Sequence, residues 1–517
     1  MTEGRDDRAA PMAASSAGTG TGTATATATA ATGADFGHPP ADEGSPGFTT
    51  ATRVVPWLVA VAFFMESLDT TILNTAVPTI AAALHIAPLS MKSVLSSYTL
   101  SVAVFIPVSG WVADRFGTRR VFATAIGIFT LGSLLCGIST SVQALVACRI
   151  LQGAGGAMMV PVGRLTMVRT FPRSALVRAM GFVAIPSLIG PMLGPLEGGL
   201  LVRYAHWRAI FFVNVPVGIA GLYLVYRHLP DFRGDVSHPL DLIGLILFGG
   251  GVALLSYVLE IFGEHTLGAT EIVGLLALAG LLLFGYAVHG SRTPFPLLRL
   301  GLLRVRTLRI AVVGSFVTRI GIGGMPFLLP LLYQVGLGYS AVESGMLILP
   351  QSLAAMSLRP FMPGLLRRFG YRRVLLSNTL ALGVIIARFG AVGPSTSAAV
   401  IVVMAFAFGF FTSFQYTSMN TLVYADVAES ETSMSSTIAS TTQQLSMSFG
   451  VAAASLAAVF FLPERAHASR PQMIHGIHDA CLALGAMTAL SALVFRNLHG
   501  DDGASVSQHK QLGVAAD

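Results

Sequence analysis

The chain has 517 residues, of which 53% are hydrophobic and only 11% are charged, and its mean hydropathy is +0.70. This composition excludes a soluble globular domain. The formal net charge of +7 does not indicate a nucleic-acid partner, because the arginines lie in short loops between apolar runs.

Two residue types limit the chemistry further. Neither lysine, Lys92 or Lys510, follows a glycine, so the chain lacks the Gly-Lys pair of a phosphate-binding P-loop. The cysteines Cys136, Cys148 and Cys481 fall in apolar runs without CxxC spacing, as small core residues do. We therefore predict no P-loop ATP site, no disulfide framework and no metal site. We also predict that the protein is not an enzyme and has no cofactor.

The first 53 residues are predicted to form a disordered cytoplasmic tail. Their alternating Gly, Thr and Ala residues cannot build a hydrophobic core. They also lack the charged, apolar and cleavage regions of a signal peptide. The apolar run that follows is therefore expected to be retained.

Fourteen apolar runs follow, each about the 20 residues that a helix needs to span a bilayer. Helices are expected because backbone groups in lipid must be satisfied within the segment. The predicted cores are 54–78, 92–112, 121–139, 142–165, 177–202, 209–227, 240–260, 270–290, 306–335, 343–364, 374–391, 398–420, 433–461 and 476–495.

Arginine placement predicts the orientation, since cytoplasmic loops are rich in Arg and Lys. The loops after spans 2, 4, 6, 8 and 10 carry clusters of arginine, whereas the opposite loops are nearly bare apart from Lys92, Arg203, Arg208, Arg465 and Arg470. Both termini are therefore predicted to be cytoplasmic, in a multi-pass protein of the cell membrane.

The first span contains two carboxylates, Glu66 and Asp69. They are three residues apart and share a face of a helix. A charge at the centre of a spanning helix costs about 2.5–3.5 kcal/mol on the insertion scale. We therefore expect both side chains to face a watery cavity, with the rest of the protein built around it.

An internal repeat divides the chain. The segment Asp114–Arg120 (DRFGTRR) recurs 253 residues later as Arg367–Arg373 (RRFGYRR), and the same offset relates span 1 to span 9. We predict two six-helix bundles at 54–228 and 301–497, two inserted helices within 229–300, and a cytoplasmic tail at 498–517. Repeated halves with a binding site at their interface are typical of transporters.

The loop Gly110–Arg120 (GWVADRFGTRR) resembles the signature loop of the major facilitator superfamily. Gly110 and Gly117 are expected to allow close approach of the turn and neighbouring helices. The resemblance implies that Asp114, with Arg115 and Arg119, latches the two halves on the cytoplasmic side. The second copy has Arg367 at the aspartate position, so the latch is not extended there.

Two further motifs resemble the same superfamily. Arg149–Gly156 (RILQGAGG) carries an arginine that the resemblance links to proton coupling, although snorkelling near the outer boundary is an alternative. The segment Gly190–Gly199 (GPMLGPLEGG) matches the motif typical of the superfamily's antiporters. Its motif residues are Gly190, Gly194, Pro195, Gly198 and Gly199.

Two signatures narrow the resemblance to the fourteen-helix drug:proton antiporters. These are Leu68–Pro78 (LDTTILNTAVP) in span 1 and Trp207–Gly218 (WRAIFFVNVPVG) in span 6. The fold class that this resemblance implies is an all-α membrane protein of major-facilitator type. Its fourteen helices would form the two bundles and the inserted pair.

We expect proton-coupled export of small amphipathic or cationic compounds by alternating access, with the lipid bilayer and protons as the other partners. Asp69, Glu66 and Arg149 are the expected proton-coupling residues, and Arg319, Asn74 and Gln152 are expected to line the cavity. A monomer is among the states that the sequence allows. Export of an endogenous metabolite is the alternative, and a membrane sensor or non-transport subunit is a third.

The repeat also relates Glu66 to Arg319. If spans 1 and 9 face each other across the cavity, these side chains lie on opposite walls and attract when Glu66 is ionised. The alternative is that Arg319 has its partners within its own half.

Overall fold

The computed structural model describes residues 50–171, 173–234, 239–261, 268–357, 362–428, 431–461, 470–500 and 502–503. The predicted tails at 1–53 and 498–517 lie mostly outside these residues. Of the second tail, Asp502 is buried and its carboxylate accepts a hydrogen bond from Arg306. The start of that segment therefore packs against the last bundle.

Fourteen long helices follow one another along the described chain. They are α1 (Thr50–Ala83), α2 (Lys92–Phe116), α3 (Thr118–Ile138), α4 (Val142–Thr170), α5 (Arg173–Tyr204), α6 (Ala209–His228), α7 (Leu242–Ile261), α8 (Ala269–Arg292), α9 (Arg306–Leu331), α10 (Ala341–Ser357), α11 (Met362–Phe389), α12 (Ala398–Leu422), α13 (Thr432–Phe460) and α14 (Arg470–Phe495).

These helices match the fourteen predicted spans, and the predicted all-helical membrane fold is confirmed. Among the described residues, eleven helices are long and apolar enough to cross a bilayer. The other three are α5, the 17-residue α10 and α11, which is interrupted at Gly370. Part of predicted span 10 lies outside the described residues. The end of that span belongs to the segment 362–369, which forms the part of α11 before Gly370.

The repeat is visible in the backbone at two glycines. Gly117 ends α2 with φ +96° and ψ 143°, and Gly370 interrupts α11 with φ 71° and ψ 163°. These positions are 253 residues apart, as the sequence offset predicts. Both need a positive φ, which glycine adopts without steric cost, so each bundle makes the same tight turn after its second span.

The helices group into two bundles of six. In the first, α1 packs on α5, while α2 and α3 pack on α4. In the second, α9 packs on α13, α10 on α12, and α11 on α14. The pairs α1–α9, α2–α13 and α5–α10 join the bundles. These six helices therefore form the boundary at which a site between the halves can lie.

The halves are closed against each other toward one end of the bundle. This is the arginine-poor end, opposite the loops that follow α2 and α4. Hydrogen bonds cross between the halves there, from Gln334 Nε2 to the Thr75 carbonyl (2.9 Å) and from Ser455 Oγ to the Leu89 carbonyl (3.2 Å). One hydrophobic core continues through both halves at this level, including Ile80 of α1 and Leu331 of α9.

Toward the arginine-rich end the cores divide. One cluster of buried residues, from Val55 to Leu229, belongs to the first half alone. A second cluster of buried residues belongs to the second half and the inserted helices. Val108 of α2 is its one buried member from the described part of the first half. Separate cores at one end and a shared core at the other are the packing expected of halves that can rock.

The inserted helices α7 and α8 pack on each other, and α7 also contacts α2 and α13. Asp241 precedes α7 and accepts hydrogen bonds from the Gly244 amide (2.8 Å), the Leu297 amide (3.1 Å) and His289 Nε2 (2.7 Å). Burial opposes ionisation of this carboxyl, but the hydrogen bonds outweigh it and lower the pKa of Asp241. The hydrogen bonds of this carboxylate therefore link the start of α7 to the end of α8.

Candidate transport site in the first half

A buried ion pair lies inside the first bundle. Arg149 Nη1 of α4 donates to Asp69 Oδ2 of α1 at 2.6 Å, and the side chains are 2% and 1% exposed. The snorkelling alternative for Arg149 is therefore wrong, because the guanidinium turns inward to a carboxylate. Removing one partner of such a pair typically costs about 3–5 kcal/mol, since the other charge is left buried and unpaired.

Amides and a hydroxyl complete the shell of Asp69. Its Oδ1 accepts from Gln152 Nε2 (2.8 Å) and Asn214 Nδ2 (3.3 Å). Gln152 Oε1 in turn accepts from Arg149 Nη1 at 2.8 Å. Ser133 Oγ accepts from both amides, at 3.3 Å and 3.1 Å, and donates to the Phe211 carbonyl at 3.0 Å. Three helices, α1, α4 and α6, therefore meet at one carboxylate, and α3 supports its amide partners through Ser133.

Tyr98 of α2 covers the other side of the arginine. Its ring centroid lies 4.3 Å from Arg149 Cζ, which is cation–π distance. Gly153 makes room for this contact, because a Cβ there would lie 2.7 Å from the Tyr98 carbonyl oxygen. Among the described residues, Arg149 Nε and Tyr98 Oη have no hydrogen-bond partner. The hydrogen-bonding groups of the cluster thus have partners except for these two atoms.

Glu66 and Asn74 lie on α1 but outside this cluster. Glu66 is half-buried, and its carboxylate forms no salt bridge with another described residue. Asn74 donates to the Thr70 carbonyl of its own helix at 3.4 Å. Of the five polar residues predicted for α1 and α4, the structure thus brings Asp69, Arg149 and Gln152 together and leaves Glu66 and Asn74 outside the cluster.

Arg319 of α9 has its partners within the second half. Its Nε donates to Ser315 Oγ at 2.7 Å and its Nη2 to Asn420 Oδ1 at 3.0 Å. The Tyr416 ring centroid lies 3.8 Å from its Cζ. The predicted ion pair with Glu66 is not formed in this structure. Arg319 instead contacts residues of its own half, as the alternative interpretation of the sequence predicted.

The signature loop carries a second ion pair, nearer the surface. Asp114 Oδ1 accepts from Arg169 Nη2 at 2.7 Å, with side chains 35% and 27% exposed. Arg169 belongs to α4, so this contact lies within the first half, whereas the latch role concerns contact between halves. Arg115 is exposed and Arg119 half-buried.

The close-approach role expected of the two loop glycines holds for only one of them. A Cβ at Gly110 would meet no atom within 4 Å, so the expectation for Gly110 is wrong: its helix face is exposed. At Gly117 a Cβ would overlap the Asp231 carboxylate. That carboxylate accepts a hydrogen bond from the Arg119 amide at 3.1 Å, so the segment after α6 lies directly on the turn.

The antiporter motif supplies close helix contacts. A Cβ at Gly190 or Gly194 would overlap Ser67 or Thr71 of α1, and one at Gly198 would overlap the Ile72 carbonyl. At Gly199 the obstacle is the other half, since a Cβ would lie 2.5 Å from the Ala341 carbonyl oxygen of α10. The motif thus serves both packing within the first half and closure between halves.

The fold and these motifs agree with what comparison finds. The profile of the Major Facilitator Superfamily matches residues 59–451. The chain belongs to the major facilitator superfamily. It is therefore a multi-pass membrane transporter of that superfamily and not an enzyme.

Relatives match almost the whole chain. A protein of Serratia proteamaculans named multidrug resistance protein MdtD is 40% identical over 466 residues, which are 89% of this chain and 96% of that protein. The protein of the same name from Citrobacter koseri is 39% identical over 467 residues, covering 89% and 98%. The resemblance to superfamily drug transporters that the motifs indicate is thereby confirmed.

Solved structures show the same fold at low sequence identity. The POT family transporter PepTSo superposes with a TM-score of 0.65 at 16% identity, covering 86% of this chain and 99% of its own. A D-xylose-proton symporter superposes with a TM-score of 0.62 at 13% identity, covering 88% and 99%.

Three residues of the Asp69–Arg149 cluster were not assigned a role from sequence: Tyr98, Ser133 and Asn214. Asn214 lies within the span-6 signature, and an amide inside an apolar run is a signal that could have marked it. Ser133 and Tyr98 carry no comparable signal, because hydroxyl side chains are ordinary in spanning helices. Only the packing of α2 and α3 on α4 reveals them.

Proposed function

We propose that this transporter exports small amphipathic compounds across the cytoplasmic membrane in exchange for protons, by alternating access with both termini in the cytoplasm. One observation carries the proposal: Asp69 and Arg149 form a buried ion pair inside a transporter bundle. An ionisable pair at this depth is a functional site by default. The names of the MdtD relatives support multidrug compounds as the cargo.

Protonation of Asp69 is the coupling step. It removes the charge that Arg149 neutralises and weakens the hydrogen bonds that Gln152 and Asn214 donate to Asp69, since bonds to ionised groups are stronger. Four helices contribute to the hydrogen-bond network of this carboxylate, so their packing changes with its charge. With the arginine-rich end in the cytoplasm, the structure corresponds to a state closed to the outside, and the half-buried Glu66 is the second carboxylate of α1 that takes part in proton transfer.

The proton gradient supplies enough energy. One proton moving down 100 mV and one pH unit yields about 3.7 kcal/mol. At about 1.4 kcal/mol per tenfold, this sustains roughly a five-hundredfold gradient of a neutral substrate.

The test is transport by the purified chain in proteoliposomes driven only by a pH gradient. We expect accumulation of a cationic dye such as rhodamine 6G, abolished by an uncoupler. No transport with any compound of a drug panel would contradict drug export. Secretion of one metabolite lost on deletion, without drug sensitivity, would favour the endogenous exporter. Failure of the chain alone to transport anything would favour a sensor or subunit.

Asp114→Asn should slow transport by about two- to fivefold without changing which substrates are recognised. The Asp114–Arg169 pair is partly exposed, and such pairs contribute about 1 kcal/mol or less. Initial rates for a substrate panel, compared with the wild type, measure this effect. A changed substrate order at unchanged rate would place Asp114 in the binding site instead.

A double-mutant cycle tests whether Glu66 and Arg319 interact in a second state, in which the two halves have rocked against each other. Glu66→Gln and Arg319→Gln are measured singly and together for transport rate. If the residues attract across the cavity in that state, their losses are non-additive, and the swap Glu66→Arg with Arg319→Glu restores part of the rate. Strictly additive losses would leave Arg319 with local partners only.

A further inference from the structure

Among the residues that the structure describes, each half of the transporter buries one arginine beneath a tyrosine, but the two arginines differ in their counter-charge. Arg149 lies 4.3 Å from the Tyr98 ring centroid and pairs with Asp69. Arg319 lies 3.8 Å from the Tyr416 ring centroid. Among the described residues, no carboxylate forms a salt bridge with Arg319, which is only 1% exposed.

A buried charge without a counter-ion is costly, because desolvation is not repaid by Coulomb attraction. Ser315 and Asn420 offer Arg319 only neutral oxygens. A carboxylate can accept two parallel hydrogen bonds from a guanidinium and adds the attraction of opposite charges, which a neutral oxygen does not supply. A ligand carboxylate would therefore compete with Asn420 for Nη2 of Arg319.

The surroundings of Arg319 give such a ligand access. Asn420 is exposed, and Ser315 and Tyr416 are half-buried. These residues lie on α9 and α12, and α9 packs against α1 of the other half. Thirteen residues separate Arg319 from the start of α9, so it lies roughly 20 Å along the helix at 1.5 Å per residue. Arg319 therefore lies at about the middle of α9.

The apolar part of a ligand would also find partners here. The Tyr416 ring is half-buried, and Phe316 and Phe449 pack edge to face with centroids 5.9 Å apart. Met447 Sδ accepts from Tyr416 Oη at 3.8 Å. Aromatic and thioether side chains form adaptable walls for compounds of varied shape.

We propose that Arg319, together with Tyr416 and Asn420, binds the anionic group of carboxylate-bearing amphipathic substrates. The proposal rests on the proposed export function for its biological meaning, and it adds carboxylate-bearing compounds to the expected amphipathic substrates. The carboxylate would occupy Nη2 in place of Asn420, while its aromatic part lies against Tyr416. Compounds with an acid and an aromatic body are then better ligands than neutral compounds of the same shape.

The test is equilibrium binding without any gradient, so its outcome is independent of proton coupling. The probes share one fluorophore and differ in charge: dansylglycine (anionic), dansylglycinamide (neutral) and N-(2-aminoethyl)dansylamide (cationic). Fluorescence titrations use the full chain in phosphatidylcholine nanodiscs, with empty nanodiscs subtracted. We expect the wild type to bind dansylglycine about tenfold or more tighter than the amide, as a charged hydrogen bond provides.

Arg319→Gln should remove this preference, and Arg319→Lys, which retains the charge, should keep part of it. Arg388→Gln is the matched control, because it removes one positive charge from an exposed site on α11 and should leave the preference intact. If Arg319→Gln does not fold, competition in the wild type decides: benzoate should displace the fluorescent amide and benzamide should not.

Three outcomes would overturn the proposal. The first is a wild type that binds all three probes equally or prefers the cation. The second is an Arg319→Gln protein that keeps the preference. The third is loss of the preference when phosphatidylglycerol is included in the nanodiscs, which would make an anionic lipid headgroup the occupant. Transport that fails under a pH gradient while dansylglycine still binds through Arg319 would count against proton-coupled export alone.

Discussion

Asp69→Asn is expected to reduce pH-driven substrate exchange in proteoliposomes to the background of protein-free vesicles. The replacement has the same shape but cannot bind and release a proton. It also leaves Arg149 without its counter-charge inside the bundle, so we expect a loss of stability approaching about 3–5 kcal/mol. Substrate uptake with and without an imposed pH gradient measures the coupling, and thermal unfolding in detergent measures the stability.

The matched control is Asp114→Asn, the same substitution at the other aspartate–arginine pair. Its transport should be slower yet still respond to the gradient. The double variant Asp69→Asn with Arg149→Gln removes both charges and should recover thermal stability without recovering coupling. Normal substrate/proton exchange by Asp69→Asn would remove Asp69 from its assigned role.

Gly199→Leu is expected to shift the transporter away from the state closed at the arginine-poor end. A Cβ at Gly199 already lies 2.5 Å from the Ala341 carbonyl and 3.0 Å from Val342 Cα, and the backbone of α10 cannot yield as a flexible side chain could. Overpacking typically costs about 1–3 kcal/mol. At about 1.4 kcal/mol per tenfold, the closed state loses roughly 5- to 150-fold in population.

The shift can be measured as a distance between spin labels in a variant lacking Cys136, Cys148 and Cys481. Tyr204, at the end of α5, and Ser397, before α12, are exposed on opposite halves at the arginine-poor end, so both can carry a label. Gly199→Leu should move the distance distribution to longer values and slow transport.

Gly274→Leu is the control for the larger side chain in that measurement. Gly274 is an exposed helical glycine of α8, and a Cβ there would meet no atom within 4 Å. It should leave the distribution unchanged. An unchanged distribution in Gly199→Leu would show that the α5–α10 contact does not hold the halves together.

The amino-acid sequence determined the helices and their repeat. A spanning helix must satisfy its own backbone hydrogen bonds in lipid, so the number and order of apolar runs carry directly into α1–α14. The offset of 253 residues predicted equivalent turns, and Gly117 and Gly370 both have the positive φ that such a turn requires. The motifs also identified Asp69, Arg149 and Gln152 as the polar residues of interest.

The partners of those residues were decided by tertiary packing alone. Glu66 and Asp69 share a face of α1, yet only Asp69 meets Arg149, because the contact depends on how α4 crosses α1. The same limit applies to Arg319, whose repeat position suggested Glu66 but whose hydrogen bonds go to Ser315 and Asn420. Sequence periodicity specifies which face of a helix is polar, whereas helix packing selects which distant residue that face meets.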